Sequence, residues 1–251
     1  MRILVTNDDG INAPGLAIMR QIASETGSDV WVVAPETDQS GLSHSLTMND
    51  PLRLRKIERQ VYALRGTPTD CVIMGVREVM PEVPDLILSG VNSGQNISDD
   101  VTYSGTIAAA MEGTMLRIPS IALSQAYDWT SGNPIPWEVA STHASGLIQK
   151  ILDKGIEKGI LININFPNCA ANAVSGIELT RQGALTHGLF LDKRDDGRRN
   201  PYYWLTHRRQ SQDVIAGTDL DALQRNFISV TPLKMDLTAD EALDYYSYLA
   251  D

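Results

Sequence analysis

The chain has 251 residues, 43% of them hydrophobic, and a formal net charge of −10. That length suits one large α/β domain; no apolar run approaches the roughly 20 residues of a membrane span, and the acidic balance argues against binding a nucleic-acid polymer. The two cysteines, Cys71 and Cys169, stand in apolar settings with no CxxC or Cys/His cluster, which argues against a disulfide framework and a thiolate zinc site.

The first predicted element is a strand through Ile3-Leu4-Val5, a continuous apolar run of the kind buried on both faces of a parallel sheet. It begins at the second residue, with no signal-peptide pattern before it, so the expected location is the cytoplasm. It ends in Asn7-Asp8-Asp9-Gly10, which is turn chemistry throughout. Two adjacent carboxylates at the carboxyl end of a buried strand repel each other and resist desolvation unless a cation lies between them. Strand ends of this kind are also where open α/β sheets bind ligands. Asp8 and Asp9 are therefore read as ligands of a hard divalent cation. The plain alternative is a solvated acidic turn.

A helix opens at Ala13-Pro14-Gly15, with Leu16, Met19, Ile22 and Ala23 at helical spacing. The next strand, Val30 to Ala34, runs into a polar loop that carries Ser40, Ser43 and His44. Residues 46–66 read as extended pieces, and Thr67-Pro68-Thr69-Asp70 as a capping box opening a helix. A core strand over 85–90 ends in the loop holding Asn92 and Asn96. Ser104 is the predicted N-cap of a helix whose Gly105 and small residues let its N-terminus approach a ligand. A strand over 118–124, a helix over 137–152 and a strand over 160–166 complete the alternation of a Rossmann-like, doubly wound, mostly parallel sheet. His143 falls on the apolar face of that second helix.

The whole chain, 1–251, is read as a single domain with its core at about 1–166 and a C-terminal arm with oligomerisation elements at about 167–251. Residues 182–213 are polar and long for a structureless loop, so they are read as a functional arm or subunit contact. Tyr202, Tyr203 and Trp204 on it suit either base stacking or an interface. His187 and His207 also lie there, near substrate or a neighbouring subunit. A strand follows at 227–233, and Thr238-Ala239-Asp240-Glu241 reads as a capping box for a final helix in which Ala242, Leu243, Tyr246 and Leu249 share a face.

Asp8, Asp9, Ser40 and Asn92 make an oxygen-only donor set suited to Mg²⁺, Mn²⁺ or Ca²⁺. Beside it, Ser104-Gly105-Thr106 offers free N–H groups, hydroxyls and the positive end of a helix dipole, so these residues and Asn96 are the candidate phosphate contacts. The chemistry implied is metal-assisted hydrolysis of a phosphate monoester. The favoured route is in-line attack by water, with Asp8 or Asp9 accepting its proton; the rival is an aspartate nucleophile. A second class of function, a Rossmann-like binder without turnover, is weakened for dinucleotides because no G-x-G-x-x-G follows the first strand.

Six motifs in order resemble those of the SurE family of stationary-phase survival nucleotidases. They are Asn7 to Gly10, Gln39 to Ser45, Gly66 to Val72, Ser89 to Asn92, Tyr103 to Thr106 and Ser229 to Leu233. The resemblance implies metal ligation by Asp8, Asp9, Ser40 and Asn92, with one divalent cation per subunit, Mg²⁺ or Mn²⁺. It also implies hydrolysis of nucleoside 5′- and 3′-monophosphates, and in some members of short polyphosphate, by a homodimer or homotetramer built through the C-terminal arm. The family usually has Gly at the positions of Ser98 and Asn226.

Overall fold

The computed structural model describes residues 1–184, 188–208 and 214–250. The first half alternates as expected: β1 (Arg2–Thr6), α1 (Pro14–Thr26), β2 (Asp29–Pro35), β3 (Arg53–Glu58), β4 (Val61–Arg65), α2 (Pro68–Met74), β5 (Leu86–Ser93), α3 (Gly105–Met115) and β6 (Ser120–Gln125). It continues through α4 (Trp137–Lys154), β7 (Ile160–Phe166), β8 (Gly176–Leu179), β9 (Gly188–Asp195), β10 (Pro201–Arg208), α5 (Asp219–Gln224), β11 (Phe227–Lys234) and α6 (Asp240–Leu243).

Nine strands form the main sheet in the order β3-β4-β2-β1-β5-β6-β7-β11-β8. All neighbours run parallel except β3 against β4 and β11 against β7. The α/β, mostly parallel architecture read from the sequence is the one observed. Strand order reverses at β1: β2 lies on one side and β5 on the other, so a crevice opens between the carboxyl ends of β1 and β5.

Successive residues of β1 point to opposite faces. Ile3 and Val5 pack with Leu16, Met19, Val139 and Leu147 of α1 and α4. Leu4 packs on the other face with Val72 of α2 and Ala109 of α3. Each such side chain contributes about 1.5–3 kcal/mol on burial. Helix α1 lies against β5 so closely that a Cβ on Gly15 would fall 1.9 Å from the Val91 carbonyl oxygen. The Thr67 capping box is present in full: Thr67 Oγ1 accepts from Asp70 N at 3.1 Å, and Asp70 Oδ2 accepts from Thr67 N at 2.8 Å. His143 is half-buried and its Nε2 meets the Ala171 carbonyl at 3.1 Å.

Beyond residue 166, the expected strand β11 joins the main sheet together with β8, and within 182–213 residues 188–208 form an antiparallel β9–β10 hairpin. Its turn is tied by Asp196 Oδ1, which accepts from Arg198 N at 2.8 Å and Asn200 N at 2.9 Å. Charged residues at 192–195 mask the strand pattern in the sequence. Leu191, Tyr202, Tyr203, Trp204 and Leu205 are exposed on it, and Tyr202 meets Trp204 edge-on. His187 lies outside the described residues, and of His207 only its place in β10 is described.

The capping box expected at Thr238 is not formed. Thr238 N donates instead to Asp236 Oδ1 at 2.9 Å, and α6 starts behind Ala239 with no side-chain cap. Helix α6 is a single turn followed by a 3₁₀ stretch over Asp244–Ala250. Leu243, Tyr246 and Leu249 are exposed, so no core anchors the turn. Short helices depend on such packing for their stability.

Candidate active site

Three chain segments meet at the switch point. The Asn7 side chain closes the turn after β1 by donating to the Gly10 carbonyl at 2.9 Å. This turn holds Asp8 inward, 4% exposed, and leaves Asp9 half-buried. The Asp9 Oδ2 accepts from Ser93 N, at the end of β5, at 3.0 Å. The Asp8 Oδ1 accepts a short hydrogen bond from the Thr106 hydroxyl at the start of α3. Gln39 N, in the loop after β2, donates to the Asp8 carbonyl at 2.8 Å.

Burial raises the Asp8 carboxyl to about 6, helped by repulsion from Asp9 and Asp38 and opposed by the Thr106 hydrogen bond. Asp9 is raised too, by burial first and by Asp38, against the bond from Ser93 N. Asp38 is a third carboxylate that sequence reasoning passed over. Its signal was its place two residues before Ser40, the spacing of an Asx turn. Its Oδ1 accepts from Ser40 N at 2.8 Å and from Ser40 Oγ at 2.6 Å. The Ser40 hydroxyl thus spends its proton on Asp38 and keeps its oxygen lone pairs. Asn92 donates its amide nitrogen to the Gly94 carbonyl at 2.9 Å, which leaves the carbonyl oxygen as the free end.

Among the described residues, no three His, Cys, Asp or Glu side chains gather to hold a metal by themselves. A set built here therefore needs neutral oxygens, which Ser40 and Asn92 could offer beside Asp8 and Asp9. All four donors are oxygen, and two mutually repelling, desolvated carboxylates are what a 2+ charge stabilises. The residues fit a hard divalent cation.

Helix α3 is capped as expected: Ser104 Oγ accepts from Ile107 N at 3.1 Å. The N–H groups of Gly105 and Thr106 remain the unsatisfied donors of its first turn. Thr106 is fully buried and its hydroxyl is committed to Asp8, so only its backbone is left for an anion. A Cβ on Gly105 would lie 2.8 Å from the Asp8 Cβ. Glycine is what lets the helix start approach the carboxylate. Gly105→Ala is expected to displace Asp8 and lower phosphate release at least tenfold, with a smaller loss of unfolding temperature; steady-state kinetics and thermal denaturation check both.

Asn96 is placed by a buried amide network. Its N–H donates to Asn165 Oδ1 at 2.8 Å, its Nδ2 to Ser124 Oγ at 2.9 Å, and its carbonyl accepts from Asn163 Nδ2 at 2.8 Å. Ser98 stands at φ 52° and Asn226 at φ 60°, the left-handed region that favours glycine. Both positions where the family usually has Gly thus keep a Gly-like backbone. His44 is partly buried: its Nε2 meets Glu112 Oε2 of α3 at 3.1 Å, and the Ser43 hydroxyl donates to the Thr102 carbonyl at 2.6 Å. These contacts fasten the Ser40 loop to α3 and to the segment before it. Asp99 and Asp100 lie on the 3₁₀ stretch Ser98–Thr102.

Among known proteins, the family model described as "Survival protein SurE" matches residues 3–188. The protein named 5′-nucleotidase SurE of Brucella anthropi is 60% identical over 240 residues, covering 95% of this chain and 93% of its own. That of Brucella canis is 58% identical over 240 residues, covering 95% and 94%. The crystal structure of the SurE protein from Aquifex aeolicus superposes with a TM-score of 0.87 at 38% identity, covering all of both chains. Sequence over nearly the full length and fold agree, and the chain belongs to the SurE family.

Proposed function

We propose that this chain is a divalent-cation-dependent nucleotidase that hydrolyses nucleoside 5′- and 3′-monophosphates to nucleoside and phosphate, with Mg²⁺ or Mn²⁺ as the ion and short polyphosphate as a further substrate. The enzyme class, 5′-nucleotidase, a phosphoric monoester hydrolase, is that of relatives 58–60% identical over 95% of the chain. The observation that carries the finer reading is the abutment of Asp8 on the capped start of α3, with Asp9 beside it held by the end of β5.

Asp8, Asp9, Ser40 and Asn92 would hold the ion, which when bound supplies Lewis-acid polarisation of the phosphoryl oxygens and acidifies water. Thr106 fixes the Asp8 carboxylate. The N–H groups of Gly105 and Thr106, with the helix dipole behind them, hold phosphoryl oxygens. Asp9 is half-exposed and has one oxygen not bonded to Ser93; it accepts the proton of the attacking water. Asn96, seated by Asn163 and Asn165, is the further candidate phosphate contact. The leaving nucleoside oxygen takes its proton from solvent. An aspartate nucleophile is the competing route, and a phospho-enzyme trapped by rapid quench would establish it in place of water attack.

We also propose that the chain works as one unit over 1–251, in a homodimer or homotetramer joined through the β9–β10 hairpin and the C-terminal residues, in the cytoplasm. The exposed aromatic and leucine side chains of those segments support this reading. Among the described residues no helix is long and apolar enough to cross a membrane.

The test is phosphate release from AMP and from p-nitrophenyl phosphate, with and without EDTA. Turnover is expected to fall at least a hundredfold in chelator and to return on adding Mg²⁺ or Mn²⁺. Nucleotide binding with no chelator-sensitive turnover would favour a binding module instead.

A further inference from the structure

A cleft of about 650 Å³ lies beside the candidate active site. Thr37 and Gln39 line it, and the same loop borders the acidic turn: Gln39 N bonds the Asp8 carbonyl, and a Cβ on Gly10 would lie 3.1 Å from the Thr37 carbonyl carbon. Arg53 and Arg65 line it as well. These two arginines are Cα partners across the β3–β4 pair, so their side chains leave the same face of the sheet side by side. Like charges directly opposite on paired strands are destabilising.

Among the described residues no carboxylate pairs with either of them. The side chain of neither Arg53 nor Arg65 makes an ion pair or hydrogen bond among the described residues, although the chain carries 31 acidic residues to 21 basic ones. Two carboxylates do stand on the rim. Glu36 is taken by Arg55 at 3.1 Å, and Asp50 bonds neither arginine. Strand β4 is parallel to β2, which is parallel to β1, so the cleft opens on the same edge of the sheet as Asp8 and Asp9.

We propose that Arg53 and Arg65 form a second anion subsite, which takes the other phosphate of a nucleoside 3′,5′-bisphosphate while one phosphate lies at Asp8, Asp9 and the start of α3. The inference rests on the nucleotidase reading of that first site. A guanidinium pair matches a phosphate dianion by paired N–H donors and by charge. The Thr37–Gln39 loop separates the two sites. Neighbouring phosphates of a diphosphate share one oxygen and do not straddle such a wall, whereas 3′ and 5′ phosphates are held apart by the sugar. Either phosphate can enter the hydrolytic site with the other on the arginines, so a bisphosphate is cut to a monophosphate by the same water attack.

The experiment compares AMP, ADP and adenosine 3′,5′-bisphosphate on the wild type and on Arg53→Gln/Arg65→Gln, with Mg²⁺ present. Both kcat/KM for phosphate release and the ligand-induced shift in unfolding temperature are read. In the wild type, the bisphosphate is expected to exceed AMP at least tenfold in kcat/KM and to give the larger shift. In the double variant that advantage is lost, AMP stays within twofold, and the ligand-free unfolding temperature is no lower than the wild type's. Equal bisphosphate and AMP values in the wild type, a variant that loses both alike, or an advantage shown equally by ADP overturns the subsite. Absence of phosphate release from AMP by the wild type would overturn the nucleotidase reading alone, and the unfolding shifts would still decide the subsite: a bisphosphate shift above AMP's in the wild type only supports it, and equal shifts in both proteins overturn it.

Discussion

Asp9→Asn is expected to lower kcat/KM for phosphate release from AMP by about 10³-fold or more, with the fold intact. The substitution keeps the size of the side chain and an oxygen to accept from Ser93 N, but removes the charge that a cation needs and the base that takes the water's proton. It also removes a repulsion. Asp9 and Asp38 push the Asp8 carboxyl upward, and Asp38 pushes that of Asp9. The unfolding temperature of the ion-free variant is therefore expected to equal or exceed the wild type's, while the rise that Mg²⁺ or Mn²⁺ gives the wild type disappears. A variant with full activity, or one still stabilised by the ion, would remove Asp9 from the site.

The same electrostatics set a pH dependence. Asp8 is raised from 3.8 to about 6 in the folded chain. The folded state then holds a proton that the unfolded chain releases, so this group's contribution falls as pH rises from about 4 to about 6. Above that the cost is complete, about 3 kcal/mol by linkage. Denaturant titrations of ion-free protein between pH 4 and 7, compared with Asp8→Asn, isolate the effect, since other carboxylates titrate in both proteins. The difference between the two is expected to widen with pH and to close when a divalent cation is added. A pH-independent difference would show that Asp8 is not desolvated as described.

Asp219→Ala carries the largest expected loss of stability, about 3–5 kcal/mol. The Asp219 carboxylate is fully buried and accepts from Ser98 N at 2.8 Å, Ser98 Oγ at 3.2 Å, Gly183 N at 2.9 Å and Leu220 N at 2.9 Å. It joins three segments: the loop carrying Asn96, the chain leading to the β9–β10 hairpin, and α5. Alanine leaves their buried donors unsatisfied, and Ser98, already in a left-handed conformation, loses what holds it there. Because Asn96 is two residues away, activity is expected to fall about tenfold beyond the stability effect, seen as a raised KM at a temperature where the variant is folded. Asp219→Asn, which keeps an acceptor oxygen, is expected to recover much of the stability. Equal losses in both variants would point to the charge itself rather than the hydrogen bonds.

Periodicity and turn chemistry were enough to place the strands and helices of the first 166 residues, because all but the exposed β3 bury a continuous or helically spaced apolar set. The Thr67 and Ser104 caps were legible for the same reason: a cap is local, made by a residue and the backbone three positions on. The Thr238 box shows the limit of that logic. The same letters stand at 238–241, but Asp236 competes for the Thr238 N–H and no core holds the turn. The β9–β10 hairpin was hidden because both its strands are largely exposed and carry no alternation of burial.

At the active edge, the identity of the donors was legible and their commitments were not. Asp8, Asp9, Ser40 and Asn92 stand out as oxygen groups at strand ends. That Thr106 spends its hydroxyl on Asp8, that Asp38 takes the Ser40 proton, and that Asn163 and Asn165 seat Asn96 depend on segments up to 98 residues apart. The sequence by itself determined the doubly wound sheet and which side chains carry oxygen to its edge, since apolar period and turn residues act over a few positions. Only the tertiary structure decided how closely α3 meets β1 at Gly105, which carboxylates repel one another, and that Arg53 stands beside Arg65 without a counter-charge. Those are properties of strand order and register, and no local rule in the chain encodes them.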